Sequence, residues 1–245
     1  MTDLIEAAAA LIRESRMTVC LSGAGISVPS GIPDFRSPGS GLWEKVDVLE
    51  VATIDGFTRD PSKFFKFMAP VAESLAAAKP NPAHIALADM EKRGLLRSVI
   101  TQNIDTLHQQ AGSATVYELH GNTRSGRCMN CLAVYSAQDM PDRAPDEVPF
   151  CRCGGVIKPD VVLFGEPLPF EALARAQRDA AACDVMLVAG SSLTVAPASM
   201  LPQIAFQNGA QIIIVNLMET YMDHRAAVVL RQSVDTALPA IAAKL

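Results

Sequence analysis

Four cysteines in two tight pairs, a glycine-rich turn that runs into an Asp-Phe-Arg triplet, and two histidines near the ends of apolar runs are the residues of this chain best equipped for chemistry. Cys128-Met-Asn-Cys131 and Cys151-Arg-Cys153 offer four thiolates from two short loops, the donor set of a structural zinc site. Four thiolates leave no open position, which argues against a catalytic metal. The second pair is one residue tighter than the commoner spacing, so free or redox-active cysteines are the alternative. Gly154-Gly155 would let backbone N–H groups turn toward sulfur. Cys20 and Cys183 lie in or beside apolar segments and read as buried small hydrophobes.

The turn Gly23-Ala24-Gly25-Ile26-Ser27 follows the apolar run Val19-Cys20-Leu21 and precedes Ser30-Gly31-Ile32-Pro33-Asp34-Phe35-Arg36. A strand that feeds a helix start through glycines presents free N–H groups to a phosphate. Gly-x-Gly alone is a weak signal; the added carboxylate, aromatic ring and guanidinium make it more specific. Thr101-Gln102-Asn103-Ile104-Asp105-Thr106-Leu107-His108 begins where a second strand is expected to end, and His120 stands at the end of a third, immediately before Gly121. Either His120 or His108 has the near-neutral imidazole a general base needs, and either could be a structural cap. His84 and His224 read as structural. Gly190-Ser191-Ser192-Leu193 and Asn216 each terminate a further apolar run and could meet phosphate or ribose.

The elements that must position these groups alternate. Helical spacing covers 3–15, a helix begins near Asn81-Pro82 and ends near Gly94, and further helices fall at 171–182, 197–208 and 236–244. Runs of strand length are Met17–Leu21, Leu96–Thr101, Val116–Leu119, Val161–Phe164, Val185–Ala189 and Ile212–Val215. Such alternation predicts an α/β fold with a mostly parallel, doubly wound sheet covered on both faces, its ligand beyond the carboxyl ends of the strands. Two insertions interrupt it: 37–80, with Phe57, Phe64, Phe65 and Phe67 downstream of Trp43, and 124–157, with the paired cysteines. They are expected to pack together as a smaller domain against a larger one made of 1–36, 81–123 and 158–245.

The apolar fraction of 49% and charged fraction of 19% describe a globular chain, and 245 residues suffice for one large core or two unequal domains. A net charge of −5 gives no basic surface for nucleic acid. Glu6, Arg13 and Glu14 break up the first apolar stretch, so neither a signal peptide nor a membrane span is expected, and the expected location is cytoplasmic.

Taken together, these segments resemble the sirtuins, NAD-dependent protein lysine deacylases. The resemblance extends over nearly the whole chain, through the Gly23–Arg36 stretch, Thr101–Asp105, His120-Gly121, the four cysteines, Lys158-Pro159-Asp160-Val161-Val162-Leu163-Phe164-Gly165-Glu166, Gly190–Leu193 and Val215-Asn216-Leu217. It implies a Rossmann-like NAD domain and a smaller domain of a helical insertion plus a zinc ribbon, with one structural zinc per chain. It also implies site roles. Gly23, Ala24, Gly25, Asp34, Phe35 and Arg36 would enclose the NAD phosphates and nicotinamide ribose. Gln102, Asn103, Ile104 and Asp105 would form the nicotinamide end. Gly190, Ser191, Ser192 and Asn216 would serve the adenosine half, with Val234 at the adenine.

Val161, Val162, Leu163, Phe164, Gly165 and Glu166 would hold an acetyl-lysine protein or peptide by backbone pairing, and Phe35 would cover the reacting ribose. In the implied reaction, nicotinamide leaves ribose C1′ as the acyl oxygen attacks, and His120 withdraws a proton through the ribose hydroxyls. The products would be nicotinamide, lysine and 2′-O-acyl-ADP-ribose. Sirtuins that prefer succinyl- or malonyl-lysine carry a Tyr and, three residues later, an Arg; the matching positions here are Met68 and Val71, which implies deacetylation with room for longer neutral acyl groups. The competing expectations are an NAD glycohydrolase or ADP-ribosyltransferase with the same cofactor pocket, and a non-enzymatic NAD-sensing zinc module.

Overall fold

The computed structural model describes residues 2–34, 41, 46–141 and 143–245. Phe35, Arg36 and Trp43 lie outside the described residues. Six strands form one parallel sheet: β1 (Thr18–Ser22), β2 (Ser98–Thr101), β3 (Val116–Glu118), β7 (Val185–Ala189), β8 (Gln211–Val215) and β9 (Val228–Leu230). Their spatial order is β3-β2-β1-β7-β8-β9. That is the dinucleotide-fold arrangement, with its reversal of winding between β1 and β7.

The strands alternate buried residues to both faces, so each face needs its own cover. Cys20, Leu187, Ala189, Ile213 and Val215 point into a core closed by α1 (Thr2–Glu14), α5 (Pro82–Lys92) and α9 (Val234–Ala242), through Ile12, Leu87 and Leu238 among others. Val19, Leu21, Met186, Val188, Ile212 and Ile214 face the opposite core, closed by α7 (Phe170–Ala182) and α8 (Leu201–Gln207) through Ala176, Ala180, Leu201 and Ala205. This double cover is why the central strands read as unbroken apolar runs. The α5 start follows its sequence signal closely. Asn81 caps it by accepting from Ala83 N at 2.9 Å, His84 completes the capping box, and Pro82 follows.

A second sheet is antiparallel, ordered β5-β4-β6, from β4 (Gly121–Cys128), β5 (Val134–Ser136) and β6 (Ile157–Val161). The expected strand Val161–Phe164 is corrected here: only Val161 belongs to a strand, and that strand pairs with β4 rather than with the parallel sheet. Its apolar character has another origin. Leu163 is buried against Phe57, Phe64 and Phe65 of the helical segment α3 (Ile54–Arg59) and α4 (Pro61–Ala77), preceded by the short α2 (Val48–Val51). Val148 and Val156, from the cysteine-bearing segment, pack on the same cluster, and the Arg143 guanidinium lies 4.8 Å from the centre of the Phe65 ring. Among the described residues, no helix is long and apolar enough to cross a membrane.

Candidate active site and metal centre

The carboxyl ends of the six parallel strands open into one cleft of about 750 Å³. Beyond β1 lie Gly23, Ala24 and Gly25; beyond β2, Gln102 to Asp105; beyond β3, His120; beyond β7, Gly190 to Ser192; beyond β8, Asn216; and at the start of α9, Val234. Asp34 and the segment Val161–Glu166 line it as well. Every expected cofactor and peptide residue among those described, together with His120, is therefore brought to this cleft, whereas Phe35 and Arg36 fall outside the described residues.

The glycines allow the backbone crossing at the switch point. Gly25 N donates to Gly190 O at 2.9 Å, and a Cβ on Gly25 would stand 2.8 Å from that same oxygen. Gly190 holds φ +61, and a side chain there would come within 2.3 Å of Ile26 N. Two strand ends can thus meet edge to edge and leave a backbone-lined floor.

Behind it lies a buried polar network. Ser27 donates to Asp105 Oδ2 at 2.6 Å, and Asp105 Oδ1 accepts from Leu107 N at 2.9 Å. Asn103 donates through Nδ2 to Ser27 Oγ and Gly23 O at 3.0 and 3.2 Å, and Gln102 Nε2 donates to Ser191 Oγ at 2.9 Å. Both oxygens of Asp105 thus have a partner, and a carboxylate still has lone pairs for a further donor. Among the described residues, no lysine or arginine lines the cleft.

The two candidate bases separate. His120 lines the cleft, and its Nδ1 lies 2.9 Å from Gln102 O. A carbonyl only accepts, so Nδ1 carries a proton, and in the neutral form of the ring Nε2 is the basic nitrogen. Gly121, at φ +72, follows because a Cβ there would sit 1.8 Å from Asp160 O. His108 is buried, with Nε2 2.9 Å from Ser22 Oγ, and is absent from the cleft. Burial, followed by the neighbouring His84 ring, pushes its pKa down to about 3. His84 is likewise pushed down to about 4 by burial, a shift that Asp105 opposes. Neither can serve a cleft ligand as a base that cycles near neutrality.

The residues missed by sequence are Ser27, whose hydroxyl ties Asp105 and Asn103 together, and Gln232 and Ser233, which line the cleft beyond β9. The three-residue β9 follows Ala226-Ala227, a small-residue run that gives no strand boundary of its own.

In the segment Val161–Glu166 most backbone groups already have partners. Val162 N donates to His120 O at 2.9 Å, Phe164 N to Ala52 O at 2.9 Å and Glu166 N to Leu163 O at 3.0 Å. Ile54 N donates to Phe164 O at 3.0 Å. Among the described residues, Val162 C=O and the N–H and C=O of Gly165 have none.

The sulfur atoms of Cys128, Cys131, Cys151 and Cys153 lie within 4.8 Å of one another. Cys128 to Cys153 is 3.5 Å and Cys131 to Cys151 is 3.6 Å. Four thiolates at Zn–S bonds of about 2.3 Å in a tetrahedron would stand about 3.8 Å apart, so the donor set fits zinc. The N–H groups aimed at Cys128 Sγ come from Asn130 and Cys131, at 3.4 and 3.5 Å, rather than from the glycine pair. Gly155 serves instead by its missing side chain, since a Cβ would lie 2.7 Å from Cys128 Sγ.

Residues 23–197 match the model of the Sir2 family. The chain belongs to the Sir2 family. This sirtuin is 46% identical over 239 residues to the NAD-dependent protein deacetylase 2 of Caldanaerobacter subterraneus subsp. tengcongensis, covering 96% of this chain and 94% of that one. It is 48% identical over 226 residues to the NAD-dependent protein deacylase 2 of Archaeoglobus fulgidus, covering 91% and 88%. Among solved structures, a Sir2 enzyme with a p53 peptide and NAD+ matches at TM-score 0.86 and 42% identity, over 94% of this chain and 93% of that one. A Sir2 enzyme with a deacetylated p53 peptide and 3′-O-acetyl-ADP-ribose matches at 0.92 and 41%, over 97% and 96%.

Proposed function

We propose that this sirtuin is an NAD-dependent protein-lysine deacetylase that releases nicotinamide and O-acyl-ADP-ribose, 2′-O-acyl first. The observation that carries the assignment is the convergence of His120, the Gln102–Asp105 loop and the Gly190 crossing on one cleft that is walled opposite by an extended backbone segment. NAD, when bound, supplies the ribose that accepts the acyl group and a leaving group in nicotinamide. The chain's own residues do the rest. His120 Nε2 takes a proton near the ribose hydroxyls while Gln102 O holds the other ring nitrogen. Gly23, Ala24, Gly25, Asp34, Gly190, Ser191 and Ser192 would serve the phosphates and riboses, largely through backbone N–H groups, and Phe35 and Arg36 are assigned the remaining contacts on the resemblance alone. Asn103, Ile104 and Asp105 would take the carboxamide, Asn216 the adenosine ribose and Val234 the adenine.

The substrate peptide would lie along Val161–Glu166, using Val162 C=O and Gly165 as its pairing edge. Main-chain pairing accepts many sequences around one acyl-lysine. Acyl choice follows from α4, whose Phe67, Met68, Val71 and Leu75 line the cleft. They favour acetyl and admit longer neutral acyl groups, because an acid-bearing chain would be buried there with no cation among the described lining residues. We assign 37–80 and 124–157 to the small domain, its zinc held by Cys128, Cys131, Cys151 and Cys153, and place the enzyme in the cytoplasm, where four thiolates stay reduced. Incubation with an acetyl-lysine peptide and NAD tests the assignment. Acyl-ADP-ribose is expected, whereas free ADP-ribose alone would make the protein a glycohydrolase and acceptor-bound ADP-ribose a transferase.

A further inference from the structure

The wall assigned to the peptide is itself held from behind by a pair of charges. Lys158 Nζ lies 2.9 Å from Glu166 Oε2, with only 13% of the lysine side chain and 23% of the glutamate exposed. Each also binds the backbone between them: Lys158 Nζ donates to Val161 O at 2.7 Å and to Pro159 O at 3.2 Å, and Glu166 Oε2 accepts from Leu163 N at 2.8 Å. Exposed ion pairs contribute little, but a largely buried pair with charge-assisted bonds to a fixed backbone is another case. Lys158 does not line the main cleft. It lines a second hollow of about 600 Å³ that shares Val161, Val162, Glu166 and Pro167 with the cleft.

We propose that the Lys158–Glu166 pair positions the peptide-docking segment, bracing Val161 O and Leu163 N so that the intervening Val162 C=O is left to face the substrate. The proposal rests on the docking role assigned above to Val161–Glu166. It makes Lys158 a positioning residue, acting without touching substrate. Without Lys158, Val161 O loses its donor and Glu166 keeps a poorly solvated carboxylate that must turn toward water and release Leu163 N. The segment would then sample other carbonyl orientations, and peptide binding would carry the cost of ordering it. The cofactor floor, built on other strand ends, would be untouched.

The test measures affinity for a fluorescein-labelled acetyl-lysine peptide, with ADP-ribose present, by anisotropy, alongside ADP-ribose affinity without peptide. K158M is expected to weaken the peptide about tenfold, while K158R stays within about threefold because it keeps the charge and its donors. E166Q, which retains an acceptor for Leu163 N but no charge, should fall between them. K158M/E166Q should weaken binding less than the two single effects multiplied, since no carboxylate is left unpaired. ADP-ribose affinity should be the same in all four. Wild-type peptide affinity in K158M, or equal weakening of peptide and ADP-ribose, would overturn the proposal. A wild-type protein that binds the peptide but yields no deacetylated lysine would count against the assigned reaction and not against the brace, which is read by affinity alone.

Discussion

The two walls of the cleft are built on opposite principles. The sheet-side wall is polar and made of strand ends: Ser27, Gln102, Asn103, Asp105 and Ser191 are fixed by hydrogen bonds of 2.6 to 3.2 Å. The facing wall is apolar where Phe64, Met68 and Val71 of α4 line it, with Leu163 beside them and packed on Phe57 and Phe65. The first can place a charge or a proton because its dipoles are already oriented. The second excludes water and selects by shape, and Val148 and Val156 of the cysteine-bearing segment pack on its Phe57 cluster, which is small beside the two sheet cores. In the proposed reaction, chemistry and acyl choice thereby fall on different parts of the chain.

The largest expected effect breaks the sheet-side wall at its base. His120→Ala should lower steady-state deacetylation of an acetyl-lysine peptide by roughly 1,000-fold while leaving ADP-ribose affinity within a few-fold. Near-normal turnover would move the base elsewhere, and His108→Ala, which removes a ring that never reaches the cleft, is the matched control.

On the facing wall, Cys128→Ser should abolish the stoichiometric zinc, about one per chain in the parent protein. It should also lower the melting temperature by about 5–10 °C through loss of a structural site. Metal analysis with calorimetry reads both, and an active protein without metal would sever the link between the cysteine cluster and the cleft. Cys183→Ser should leave the metal content unchanged.

A smaller effect separates the walls by substrate. Matched succinyl- and acetyl-lysine peptides should differ about 30-fold in kcat/KM in favour of acetyl, given a cleft with no described cation beside Met68 and Val71. Preference for succinyl would show that a cation reaches the acyl end.

The mildest test concerns pH. His108, with its pKa pushed down to about 3 by burial, stays neutral in the fold while an unfolded chain protonates it near 6.5. The unfolded state therefore binds more protons below that value, and stability falls as the pH drops from about 6.5 toward 3. Between pH 7 and 5 the loss is about 2 kcal/mol from this residue. Urea titrations should show it, and His108→Gln should flatten that part of the profile even though it lowers stability at pH 7.

Much of the sheet-side wall was legible because its signals are local. Val185–Ala189 is a strand over its whole expected length, and Asn81-Pro82 starts a helix as its capping chemistry dictates. The cysteine spacing likewise points to a cluster that the fold assembles, with all four sulfurs within 4.8 Å. The facing wall was less legible. β4 is polar and glycine-containing and owes its pairing to β5 and β6 rather than to its own pattern. Val161–Phe164 carries the composition of a core strand but spends it on the packing of Leu163 and on ladder bonds to Ala52 and Ile54.

The sequence by itself determined the doubly wound sheet, the four-cysteine cluster and the set of polar strand ends, because each depends on periodicity, spacing or a residue's intrinsic chemistry. The residues alone left His108 and His120 as rivals and the family resemblance favoured His120; the tertiary structure adds that His120 lines the cleft and His108 does not. Both follow expected strands and both are imidazoles, but burial neutralises one against Ser22, while Gly121, forced by the nearness of Asp160 O, delivers the other to the cleft. Burial and the direction of a side chain are set by neighbours distant in sequence, and no local pattern records them.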